Sequence, residues 1–259
     1  VDIQIIKDRS ALEKYFRQDL PLHLYSLGDL DDFYWTRITC YGIQTEIGLK
    51  NITPFYRGDN LPVLLAFGEL DHDYIRQLQS LLPNRFYAHL SPGLIKHFSD
   101  YYQVSEHGDH YKMALVNSDP ILQANTDNTF QLTETDLPEV NEHYKESYPD
   151  NAFDPRMLES GQYIGIRQHG QLVSIAGIHT YSATYRVAAL GNITTHPENR
   201  GQGYGRAVTA RLCQLLEGKV DFIGLHVKCD NHPALSLYRS LGFRISSIYG
   251  EFSLQIGPK

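Results

Sequence analysis

Nowhere does the chain stay apolar for the roughly 18 residues that suggest a membrane-crossing helix. Its start, "VDIQIIKDRS", has neither the basic lead nor the apolar core of a secretory signal. Cysteine is scarce. Cys40, Cys213 and Cys229 form no CxxC pair and no disulfide framework, and they read as reduced thiols. Basic residues do not dominate either: 23 Lys and Arg against 30 Asp and Glu leave a net charge of −7, which argues against a dedicated nucleic-acid surface. The absences point to a soluble cytoplasmic protein with no membrane and no nucleic-acid partner.

What is present suffices for a core. With 259 residues, 42% hydrophobic and 20% charged, the chain is long enough for one large domain or two ordinary ones. The pattern predicts mixed α/β structure throughout. In the first half, "ALEKYFRQDLPLHLYSL" (11–27) has helical spacing interrupted by Pro21, and "LPVLLAFGEL" (61–70) reads as a buried strand. Residues 72–82 read as an amphipathic helix, 85–90 as a strand, 92–102 as a helix and 110–116 as a strand. "NSDPILQANTDNT" (117–129) is polar and turn-rich and reads as a linker, dividing the chain into domains at 1–120 and 121–259. Beyond it come a strand, a Thr135/Asp136 cap and a helix with Pro138 in its first turn. A hairpin turning at His169–Gly170 follows, then a strand over 185–196, helices over 205–218 and 232–243, a strand over 221–229 and closing strands to 256.

"NRGQGYGRAV" (199–208) packs three glycines into five positions where a helix begins. Free backbone N–H groups beside the positive end of a helix dipole make an anion site, and glycines clear the approach. Arg200 and Arg206 add positive charge. A Walker loop is excluded because no Lys-Ser/Thr pair follows the glycines, and GxGxxG fails because Arg206 follows Gly205. RxxGxG is met by Arg200, Gly203 and Gly205. Joined to N-x-P-A-x-x-x-Y-x-x-x-G-F, which runs from Asn231 to Phe243, it resembles the GNAT superfamily of acyl-CoA-dependent N-acyltransferases, in its glycine N-acyltransferase-like branch. The resemblance covers 130–256. The first half, which lacks the glycine loop, resembles a degenerate copy of the same domain.

The resemblance implies a mixed, mostly antiparallel twisted sheet flanked by helices. It implies a strand end at Ile193, Thr194 and Thr195 that holds the pantetheine arm of acetyl-CoA, and a pyrophosphate cradle of Arg200, Gly201, Gln202, Gly203, Tyr204, Gly205 and Arg206. Asn231 would touch the cofactor arm as well as cap its helix, and Tyr238 would act on the leaving thiolate. A phenol of ordinary pKa near 10 can protonate a thiolate near 8.5 without prior ionisation. The amine's base stays open among His179, Asn192, Thr194, His196 and Glu198. Phe33, Tyr34 and Trp35 are possible contacts of an acceptor pocket. His107 and His110 lack the helix and third ligand of a zinc site, so no metal is expected and 106–111 reads as a solvated hairpin. The function implied is transfer of an acetyl group from acetyl-CoA to a primary amine of a small molecule or amino acid, by a monomer or homodimer. An acyl-CoA sensor without turnover and a protein lysine or N-terminal acetyltransferase remain as alternatives.

Overall fold

A computed structural model describes residues 2–58 and 61–257; Val1, Asp59, Asn60, Pro258 and Lys259, which the two expected domain spans include, lie outside the described residues. No single cut near residue 120 separates the compact parts. One unit comprises 1–112, 228–230 and 246–259, and the other 113–227 and 231–245.

Unit 1 begins with β1 (Gln4–Ile6) and α1 (Arg9–Phe16), capped by the Asp8 carboxylate, which accepts from the Ala11 N–H. Pro21 falls at the start of α2 (Leu20–Gly28), where its missing N–H is harmless. A four-residue helix, α3 (Asp32–Trp35), leads into the hairpin of β2 (Ile38–Thr45) and β3 (Gly48–Tyr56). Then come β4 (Val63–Ala66), α4 (His72–Gln79), β5 (Arg85–Leu90) and the long β6 (Tyr102–Leu115). The strand that completes this unit arrives from the far end of the sequence. Within β12 (Phe243–Ile256), Gly250–Gln255 pair antiparallel with Leu90–Arg85, giving the order β1-β2-β3-β4-β5-β12-β6. Phe55, Tyr74, Phe86, Phe98 and Leu254 form the core on one face of that sheet.

Two expectations are corrected here. Residues 106–111 are not a hairpin but the middle of β6, because Gly108 takes a positive φ without reversing the chain. His107 then meets the Ser253 hydroxyl of β12 at 2.8 Å, and His110 is buried. The helix expected over 92–102 shrinks to one 3₁₀ turn at Leu94–His97 after a left-handed Gly93.

The elements of unit 2 are α5 (Asp119–Leu122), β7 (Phe130–Gln131), α6 (Leu137–Ser147), β8 (Ile164–Gln168), β9 (Gln171–Ser182), β10 (Val187–Thr195), α7 (Tyr204–Leu216), β11 (Phe222–Lys228) and α8 (His232–Ser240). Its strands lie in the order β11-β10-β9-β8-β7. The stretch read as a linker is part of this unit. Ile121 of α5 is buried, and its carbonyl accepts from the Gln214 side chain of α7 at 2.9 Å. Asp136 is the N-cap residue of α6, as expected, but Thr135 lies inside a 3₁₀ turn (Glu134–Asp136) that Thr133 caps in a reciprocal box with Asp136, whose carboxylate also takes Arg167. The β8–β9 turn does fall at His169 and Gly170, both at positive φ.

Candidate active site

The site grows from one interrupted strand pairing. β10 and β11 run parallel from Val187↔Phe222 to Leu190↔Leu225, and there their pairing ends. β10 continues to Thr195, held on its other edge by β9 through Gly191↔Gly177, Thr194↔Ile175 and Thr195↔Ser174. From Gly191 to Thr195 the edge facing β11 therefore carries peptide groups without a ladder partner. Between Gly191 and Thr194 the register slips by one residue, which is a β-bulge at Asn192–Ile193. Asn192 sits there at φ 53°, in the left-handed region.

Beyond Thr195 a 3₁₀ turn (Pro197–Asn199) leads into the glycines. Gly201 and Gly203 adopt φ 76° and 82°, and a Cβ on either would meet nothing within 4 Å. Their freedom serves the backbone path, not a crowded packing. Gly203 is the N-cap of α7 and offers no side-chain acceptor, so the first-turn N–H groups of Tyr204, Gly205 and Arg206 are left to face outward. The expected side chains divide. Arg200 is exposed, with Nε 3.2 Å from the Thr195 carbonyl, and Gln202 is exposed beside it. Arg206 turns away, its guanidinium 3.4 Å from the Pro120 carbonyl. Asn231 caps α8 by accepting from the Ala234 N–H at 3.2 Å. Tyr238 is buried on α8, edge-on to Phe243, and among the described residues nothing hydrogen-bonds its hydroxyl. Burial pushes the phenol above its usual range, with Tyr148 and Cys213 adding to the shift, so Tyr238 stays protonated at neutral pH.

Residues 126–243 match the family model described as the acetyltransferase (GNAT) family. That match covers a little under half of the chain and all of the glycine loop and of α7, β11 and α8. The chain is 35% identical over 102 residues to N-alpha-acetyltransferase RimI of Mycobacterium tuberculosis (strain ATCC 25618 / H37Rv), a match covering 38% of this chain and 61% of that relative. It superposes on a putative GNAT-family acetyltransferase from Novosphingobium aromaticivorans DSM 12444 with TM-score 0.66 and 20% identity, over 93% of this chain and 100% of the other. A tandem GNAT protein from the clavulanic acid biosynthesis pathway matches with TM-score 0.57 and 12% identity over 100% of both chains. At those identities the two structures speak for the fold.

Within unit 2, Tyr144, Tyr163 and His143 gather with the expected Asn192 around the β10 bulge and were not singled out by the sequence. Tyr144 of α6 donates to the Asn192 carbonyl at 2.7 Å, and Asn192 Nδ2 donates to the Tyr163 hydroxyl at 3.0 Å. Tyr163 in turn donates to the Ile178 carbonyl at 3.0 Å. Two glycines make room for rings: a Cβ on Gly177 would strike Tyr163, and one on Gly191 would strike His179. His143 hydrogen-bonds the Leu172 carbonyl through Nδ1 at 3.0 Å, and burial lowers its pKa, so the neutral ring donates from Nδ1. His196 pairs with Glu146 at 3.7 Å, outside the bulge, and Thr195 Oγ1 contacts Ser174 Oγ at 2.8 Å. His226 of β11 is half-buried, one residue past the last β10–β11 pair. Phe33, Tyr34 and Trp35 are in α3 of unit 1, where Phe33 meets Tyr34 edge-on and Trp35 lies under the Arg9 guanidinium. Among the described residues no group of three or more His, Cys, Asp and Glu could hold a metal, and no helix is long and apolar enough to cross a membrane.

Proposed function

We propose that the GNAT domain is an acetyl-CoA-dependent N-acetyltransferase that modifies the primary amine of a small molecule or amino acid by direct attack. The observation carrying this reading is the strand edge left open after Leu190↔Leu225, followed at once by a helix whose N-cap is a left-handed glycine. The residues present fit acetyl-CoA. The open space at Gly201 and Gly203 admits a pyrophosphate against the N–H groups of 201–206, and Arg200 supplies charge. The edge of Ile193–Thr195 that faces away from β9 suits the amides of a pantetheine arm, which would add as a strand. Asn231 holds the start of α8 by its cap and stands in the same motif.

When bound, acetyl-CoA supplies a thioester carbonyl. A backbone N–H at the bulge would polarise that carbonyl as the amine adds. Tyr238 Oη would give its proton to the sulfur as the C–S bond breaks, and the proton lost from the amine nitrogen would pass to solvent and reprotonate the phenolate. Burial keeps Tyr238 protonated and makes it a weaker acid, so its proton moves only as negative charge builds on the departing sulfur. The free hydroxyl of Tyr238 supports turnover over a sensor role. Identity to an N-alpha-acetyltransferase supports a second reading, in which the amine is the N-terminus of a peptide. Release of CoA, followed by thiol titration across amines, free amino acids and short peptides, tests both. Turnover with free amino acids supports the first reading, turnover with peptides alone the second, and none with either class removes both.

A further inference from the structure

The bulge on β10 is held by side chains that have no other evident task. Asn192 is buried, and its backbone sits at φ 53° in a region that asparagine tolerates but does not favour. Three hydrogen bonds fix it there. Tyr144 Oη donates to its carbonyl at 2.7 Å, its Nδ2 donates to Tyr163 Oη at 3.0 Å, and Tyr163 anchors the chain on the Ile178 carbonyl. Tyr144 and Tyr163 are themselves fully enclosed, and burial holds both phenols in their protonated, donating form. Each end of the clamp stands on a different element, α6 on one side and the β8–β9 pair on the other. Both converge on the one residue whose torsion directs the free peptide edge of 191–195.

We propose that Asn192 is a positioning residue for acyl transfer. The Tyr144–Asn192–Tyr163 clamp fixes the direction in which the open edge at Ile193 faces the acyl end of acetyl-CoA, while the pyrophosphate cradle at 201–206 works independently of it. A strained backbone persists only where its surroundings over-determine it, and here the surroundings are these two phenols. The inference rests on the reading of unit 2 as an acetyltransferase.

Asn192→Gly separates positioning from folding. Glycine takes φ 53° without strain, so the variant is expected to keep its melting temperature within a few degrees and bind CoA within about twofold of wild type. Its kcat is expected to fall about 10- to 100-fold, the scale that misplacement of about 1 Å produces. Tyr144→Phe, which keeps the ring and removes one bond, is expected to fall less and in the same direction, with KM for acetyl-CoA held. Hydrogen exchange gives a readout apart from turnover. Acetyl-CoA is expected to protect the amides of 191–195 in wild type and to leave them exchanging in Asn192→Gly, with the loop at 200–206 protected in both. Wild-type kcat together with wild-type protection of 191–195 in Asn192→Gly overturns the clamp. A wild type that protects both segments yet acetylates no amine overturns the acetyltransferase reading instead, and the exchange comparison then decides the clamp alone.

Discussion

Both units contain a helix between two parallel strands, and the pair is shut in one and open in the other. In unit 1, β4 and β5 pair from Val63↔Tyr87 through Ala66↔Leu90, the last residue of β4. The closure continues past the strand: the Ser91 N–H donates to the Ala66 carbonyl at 3.0 Å, and the Ser91 hydroxyl accepts from the Gly68 N–H at 2.9 Å. In unit 2 the corresponding pair stops at Leu190↔Leu225, five residues short of the end of β10. The helices differ in the same sense. α4 begins at Asp71, ion-paired to Lys50 at 2.8 Å and hydrogen-bonded by Asn51, with Asp73 in the first turn. Carboxylates there already answer the helix dipole and repel a phosphate. α7 begins at a bare glycine. On the proposed reading, whether such a unit takes a nucleotide turns on a few strand-end hydrogen bonds and on the residue type at one helix start.

The largest disturbance of this comparison would come from the C-terminus. A chain ended after Ile245 loses the strand that pairs with β5 and the buried side chains of Tyr249, Phe252 and Leu254. Full burial of each such side chain is worth about 1.5–3 kcal/mol, against a typical total stability of about 5–15 kcal/mol for a folded domain. Loss of the cooperative unfolding transition of unit 1 is expected, read by circular dichroism and by exchange of the β5 amides. Native-like protection of β5 in the shortened chain would refute the assignment of that strand to unit 1.

Next in size is Tyr238→Phe. Losing only the hydroxyl should lower kcat by about 10²- to 10⁴-fold with the CoA dissociation constant unchanged, the pattern of an interaction made in the transition state. A wild-type rate under conditions where chemistry limits turnover makes Tyr238 a packing residue.

A matched pair of glycines sharpens the contrast between the two helix starts. Gly68 and Gly203 have φ 78° and 82°, and neither has a neighbour within 4 Å of a would-be Cβ. Valine at either site carries a similar backbone strain of about 1–2 kcal/mol. Gly203→Val is expected to weaken CoA by tenfold or more in calorimetry, and Gly68→Val to leave it unchanged, with one CoA bound per chain. Equal losses, or two sites per chain, would erase the distinction.

Acid gives the smallest and most graded effect. In unit 1 burial lowers the pKa of His23 to about 3 and that of His110 below 6.5, the latter opposed by Glu251. Lys112 is wholly buried over the Phe67 ring, with its pKa depressed by desolvation. Glu251 meets burial that raises its pKa, but His89, His110 and the phenols of Tyr87 and Tyr249 carry it below 4.5. Each of these groups has a folded pKa below its unfolded one. Their stabilisation is therefore present above the unfolded value and lost as pH falls through the folded one. The imidazole contributions fade below pH 6.5 and that of Glu251 below about 4.5, up to ~1.4 kcal/mol per pH unit for each group in its window. In unit 2 His143 shifts in the same direction. Between pH 7 and 4, exchange protection in unit 1 is expected to fall ahead of that in unit 2. The reverse order would put the acid-sensitive groups elsewhere.

How much of this was legible from the sequence follows from how local each feature is. The loop at 199–206 could be read because its chemistry is carried by neighbouring residues: glycine where φ must be positive, arginine beside it, then a helix pattern. The splay could not, because it is a property of two strands whose pairing stops, and nothing in Leu190 or Leu225 announces a last pair. The β2–β3 hairpin escaped because Pro54 and the left-handed Asn51 break the alternation that marks strands. The Tyr144–Asn192–Tyr163 clamp spans 48 residues and left one trace, a Gly-Asn dipeptide in an otherwise apolar strand, which is a bulge signal. The crossing of β12 from one unit to the other left none. Its two halves read as continuous strand, and only the pairing tells them apart.

That crossing has a consequence for biosynthesis. A ribosome making this chain finishes the first 112 residues of unit 1 long before it reaches Ser246. At about 5–20 residues per second, translation leaves the inner edge of β5 without its neighbour for roughly ten seconds. Unit 2 can gather its own segments during that interval. The part begun first is the part completed last, so a nascent chain stalled anywhere in between exposes a bare strand edge to chaperones, proteases and other nascent chains.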